Sequence, residues 1–99
     1  MTIDHAVHLQ VTLRITDPAH PETQAMPKGQ HVHLNVGFRL TPDGPVVWDI
    51  ERLYEVHRFL TDIHFTEADK GKEAFFRVRY VNTKGEAAMW SSPISTVIA

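Results

Sequence analysis

The chain has no cysteine. That removes a disulfide framework, a cysteine-based zinc site and a thiol nucleophile. It leaves the compartment open, because a β-sandwich can stand outside the cell without disulfides, and a longer secreted chain carrying this one would place it outside the cell or at its surface. Charge of either sign is barely in excess: Lys+Arg 10 against Asp+Glu 12 gives a net charge of −2. There is therefore no electrostatic reason to expect nucleic acid or an anionic membrane as partner. No apolar run approaches the ~20 residues of a membrane span. The opening Met1-Thr2-Ile3-Asp4-His5 lacks the basic and apolar regions of a signal peptide. Ser91, Ser92 and Ser95 have no Gly-x-Ser-x-Gly elbow around them. No glycine-rich phosphate loop joins a strand to a helix. The carboxylate pair Asp49-x-Glu51 lies beside Arg52 in a stretch that reads as solvated surface. These absences argue against an enzyme and against a bound cofactor. What remains is ordinary globular composition, 42% hydrophobic and 22% charged in 99 residues, which predicts a single domain over 1–99.

The dominant period is two. From Val7 to Ile15 the apolar residues are Val7, Leu9, Val11, Leu13 and Ile15, with polar residues between them, which predicts one long half-buried strand. The pattern returns at Val32, Leu34, Val36, Phe38 and Leu40, and again at Ala74, Phe76, Val78 and Tyr80 opposite Phe75, Arg77, Arg79 and Val81. Phe59 to Phe65 and Pro93 to Ile98 also read as strands. Val46 to Ile50 reads as a short strand, while Asp49 to Val56 also fits one helical turn, since Ile50, Leu53 and Tyr54 share a helical face. Between these segments lie turn signals. Residues 17–29 hold three prolines and a glycine and form a long loop. Asp43-Gly44 and Lys84-Gly85 mark tight connections. Six strands and a compressed seventh, without a long helix, predict an all-β, two-sheet antiparallel sandwich of immunoglobulin-like type.

The run Ala74-Phe75-Phe76-Arg77-Val78-Arg79-Tyr80-Val81-Asn82 resembles the sixth strand of a fibronectin type III domain. The segment Gly85 to Ser95, with its Trp90-Ser91-Ser92-Pro93 setting, is similar to the hairpin and last strand of that family, and Lys70 to Ile98 to a C-terminal module of that type in uncharacterised bacterial proteins. The corner tyrosine of the sixth strand is missing near Ala74. The first strand is nearly absent, because the chain enters the Val7–Ile15 strand almost at once. The resemblance implies a non-catalytic spacer or interaction module. The Trp-Ser pair also resembles that of cytokine-receptor fibronectin domains, where tryptophan stacks on arginine of the neighbouring strand. That implies a ladder of Arg77, Arg79 and Trp90, each exposed pair contributing ~0.5–1 kcal/mol.

Seven histidines are many for 99 residues. His31-x-His33 puts two imidazoles about 6.6 Å apart on one strand face, pointing to solvent. A zinc or copper site needs a third ligand and none follows, so no metal is expected. His5, His8, His20, His57 and His64 read as surface residues whose titration near pH 6 would make adhesion or assembly pH-sensitive. In fibronectin topology the loop 17–29, the link around 52–57 and the hairpin 82–89 gather at one end. Loops on a rigid sandwich commonly carry binding residues. His20, Glu22, Lys84, Glu86 and Trp90 are therefore the candidate contacts for a protein partner. A glycan stacking on Trp48 or Trp90 is an alternative. Self-association is another: too few residues precede Val7 for a full first strand, so one sheet edge is expected to lie open and recruit a strand.

Overall fold

A computed structural model describes residues 1–15 and 31–99. Seven strands run through them: β1 (Thr2–Val7), β2 (Gln10–Arg14), β3 (His31–Arg39), β4 (Val46–Val56), β5 (Leu60–His64), β6 (Glu73–Val81) and β7 (Ile94–Val97). They form two antiparallel sheets, β1-β2-β5 and β4-β3-β6-β7, packed as a β-sandwich. Alternation decides what lies between the sheets. Val32, Leu34, Val36 and Phe38 of β3 are buried, as are Ala74, Phe76 and Val78 of β6. They meet Val11 and Leu13 of β2, Ile63 of β5, and Ile15, Phe59 and Phe65 at the strand ends. Phe65 stands edge-on to both Phe38 and Phe76, with centroids 6.2 and 6.3 Å apart, a favoured aromatic geometry.

The N-terminal segment differs from the single strand expected over Val7–Ile15. The chain reverses at His8-Leu9, so β1 pairs with β2 and puts Val7 opposite Gln10. Val7 is 51% exposed, whereas Val11, Leu13 and Ile15 are buried. The turn carries no glycine or asparagine signal. Leu9 itself takes a left-handed conformation, φ +56°, a strained choice for a leucine. Tertiary contacts hold it there: Leu9 N–H donates to the Ala99 carbonyl and Phe65 N–H to the Leu9 carbonyl, both at 2.9 Å. A first strand is thus present, and Met1 and Ile3 pack against the core. The premise that an absent first strand leaves β2 bare falls with it.

The region Asp49–Val56 holds no helical turn. β4 continues through it with an outward bulge. Asn35 pairs with Leu53 and Gly37 with Trp48, which leaves Asp49–Arg52 opposite Val36 alone. Asn35 fills the gap: its Nδ2 donates to the carbonyls of Asp49 (2.9 Å) and Arg52 (3.2 Å). Asp49 Oδ1 accepts the Glu51 N–H at 2.9 Å and shapes the turn. The bulge swings Arg52 to Asp69, 3.1 Å away. Asp69 closes the 3-10 turn Glu67–Asp69 and also accepts from Thr66 N–H and Oγ1. The Asp49–Arg52 stretch is therefore a structural corner, with Glu51 exposed and Asp49 turned to its own backbone and Arg52.

Candidate functional site

Odd-numbered residues of β6 and β3 point away from the core, and the register sets them side by side. Asn35 faces Arg77 and His33 faces Arg79. On β4, Trp48 lies opposite Gly37. Beyond β6, the chain 88–91 runs alongside it and brings Trp90 over the same face. Ser91 holds that segment, its N–H donating to the Val78 carbonyl at 2.8 Å while its Oγ accepts the Val78 N–H at 3.0 Å.

The result is a ladder of alternating rings and cations. The Arg77 guanidinium carbon is 4.1 Å from the Trp48 ring and 4.3 Å from the Trp90 ring, and Arg79 is 4.4 Å from Trp90. Arg77 Nε and Nη2 donate to Asn35 Oδ1 at 3.1 and 2.9 Å. Arg79 Nε donates to His33 Nδ1 at 3.1 Å. His33 is therefore half-buried under Arg79, where open exposure was expected. The ladder ends at the sandwich rim, where the His31 ring lies 5.2 Å from His33 and 5.4 Å from His57, and His57 contacts Glu55 at 2.9 Å.

Burial first, then the Arg79 and His31 charges, hold the His33 pKa below its ordinary value, against a smaller opposing pull from Glu55. Neutral His33 is the form that accepts the Arg79 hydrogen bond. Burial, helped by the Arg79 charge, likewise draws the Arg77 pKa down, although a guanidinium stays charged at neutral pH. Among the described residues, no group of three His, Cys, Asp or Glu is arranged to hold a metal ion.

The other candidate residues fall elsewhere. Lys84 and Glu86 are exposed on the hairpin after β6, where Asn82 Oδ1 accepts both of their N–H groups at 2.9 Å and Gly85 takes φ +81°. That hairpin shares one end of the sandwich with the start of β3 and the end of β4, since His31 pairs with Val81 and Val32 with Val56. The link at that end is 57–59, because residues 52–56 belong to β4. His20 and Glu22 lie outside the described residues. Tyr80, assigned inward by alternation, is 40% exposed at the end of its strand.

Sequence reading missed Trp48, Asn35 and His33 as members of the ladder. One signal pointed to the first. Gly37 interrupts an otherwise apolar and polar alternation, and a glycine inside a strand marks a close approach. A Cβ there would meet Trp48 Cε3 at 2.8 Å. No known protein-family model matches this chain, and no curated protein matches it in sequence.

Proposed function

We propose that this chain is a non-catalytic interaction module of fibronectin type III kind, and that it binds a protein partner through the outer face of its four-stranded sheet. The ladder carries the reading. Two indoles, two guanidiniums, an asparagine and a histidine are locked into one geometry on an outward face, and large aromatic and arginine side chains are the groups that dominate binding surfaces. The strand order supports the resemblance: the fourth strand lies beside the third, whereas in constant-type immunoglobulin sandwiches it lies on the opposite sheet. The stacking of Trp90 on Arg77 and Arg79 is a second support for the fibronectin resemblance, which implies such a tryptophan–arginine contact.

The glycan reading loses ground on this geometry, because guanidiniums already occupy the indoles on which a sugar would stack. Strand addition keeps one specific observation in its favour. Among the described residues the outer edges of β4 and β5 are unpaired, and they flank a groove of about 490 Å³ lined by Glu55, His57, Arg58, Thr61 and His64, among others.

A photo-crosslinking residue separates these. Placed at Ser95, on the ladder face, it should form adducts with a second protein in the host cell, whereas placement at His64, on the other sheet, should not. Adducts from His64 alone would favour the strand-edge reading, and adducts from neither position would reduce the module to a spacer.

A further inference from the structure

The described arginines fall into two groups. Arg14 is paired with Asp4 at 3.2 Å, Arg39 with Glu73 at 3.4 Å and Arg52 with Asp69 at 3.1 Å. Arg77 and Arg79 have no carboxylate within ion-pair distance among the described residues, and their hydrogen bonds there go to neutral acceptors, Asn35 and His33. Arg58 is also without a carboxylate, but it is exposed and makes no ring contact among those residues. Arg77 Nη1 and both terminal nitrogens of Arg79 lack an acceptor among the described residues, and none of the three is buried. Of the carboxylates beside this face, Glu73 is paired with Arg39 and Glu55 contacts His57.

Indoles and neutral acceptors thus fix the direction of two cations without cancelling their charge. Held side chains lose little rotamer freedom on binding, and a guanidinium takes carboxylates through its N–H fork. The two sit at alternate positions of one strand, about 6.6 Å apart along it. That is the spacing of carboxylates at alternate positions of an extended chain.

We propose that the Arg77–Arg79 step is a docking site for an acidic, extended segment of a partner protein, with carboxylates in a Glu-x-Glu pattern on the free guanidinium nitrogens. This rests on the interaction-module reading and names its ligand. A second copy of this chain is a poor occupant, because the face would meet its own two cations. A guanidinium already lies over each indole, which leaves a sulfated sugar less ring to stack on.

The test is a heteronuclear NMR titration of the whole chain with an alternating Glu-Thr peptide, with a Gln-Thr peptide, sodium sulfate and a sulfated disaccharide as separate arms. Shifts should centre on the side-chain N–H groups of Arg77, Arg79 and Trp90, and only with the Glu peptide. Arg79→Gln should weaken binding about fivefold or more, and raising salt from about 0.05 to 0.3 M should weaken it about tenfold. If Arg79→Gln fails to fold, the salt series and the Gln peptide still decide on the wild-type chain. Absent shifts, equal shifts with the Gln peptide, sulfate or sulfated sugar, or concentration-dependent shifts without peptide, would each overturn the proposal. Crosslinking from Ser95 reports any protein on this face. Adducts there without peptide binding would sink the acidic ligand alone, and neither signal would sink the module reading as well.

Discussion

Single side chains on this sandwich divide by face. Phe76 is fully buried beside Phe65, so Phe76→Ala should cost about 3–5 kcal/mol in urea denaturation. Arg77→Ala removes stacking and the hydrogen bonds to Asn35 on a half-exposed face, and should cost about 1–2 kcal/mol. The reverse ranking would put β6 one residue out of register and invert every facing assigned to it. Gly37 is a position on the ladder face where a single methyl matters. Its Cβ would press on Trp48 and on Val46 Cγ1, 2.9 Å away. Gly37→Ala should therefore destabilise by about 1–3 kcal/mol and weaken the near-ultraviolet circular dichroism of Trp48 as the indole leaves Arg77. An unchanged spectrum would mean that Trp48 has room the geometry denies it.

At the scale of elements, two irregular pieces set the ladder in place. The bulge in β4 lets Trp48 and Leu53 lie on the outer face while Arg52 reaches Asp69. The 88–91 segment is not a strand, yet it satisfies β6 through Ser91. Ser91→Ala leaves the Val78 N–H without that acceptor and should cost about 1 kcal/mol. The larger effect belongs to Trp90, whose ring should lose its fixed place beside Arg77 and Arg79. Tryptophan fluorescence anisotropy, read in a Trp48→Phe background, would report this as faster local motion in the alanine variant.

For the whole molecule, pH is the lever. The folded chain lowers the His33 pKa below its ordinary 6.5, so below that pH the unfolded chain binds more protons and stability falls. The His33 contribution is full above about pH 6.5 and is lost as pH drops toward the depressed folded value. Asp69 acts in a lower window. Burial alone would raise its pKa, but hydrogen bonds from Thr66 and Arg52 outweigh burial and hold it below 3.8. Its contribution is present above that value and lost as pH falls through the folded one. Urea midpoints measured from pH 8 to pH 3 should show two declines. His33→Gln, which keeps an acceptor for Arg79 but cannot titrate, should flatten the upper decline and leave the lower intact. An unaltered upper slope in that variant would assign it to other histidines.

Alternation in β3 and β6 was strong enough to give the strands, their buried faces and the all-β class, because one face of each is covered along nearly its full length and the period of two has no rival. Arg77, Arg79 and Trp90 of the ladder were legible from parity on β6 and the Trp-Ser setting, whereas Trp48 was not. Pairing was not. That His33 meets Arg79, that Asn35 meets Arg77 and that Trp48 caps Gly37 depends on register between segments far apart in sequence, which local periodicity does not encode. The His8-Leu9 reversal was hidden for a related reason. Apolar alternation runs unbroken through the turn, and Leu9 holds its left-handed conformation only because Ala99 and Phe65, from distant parts of the chain, bond to it.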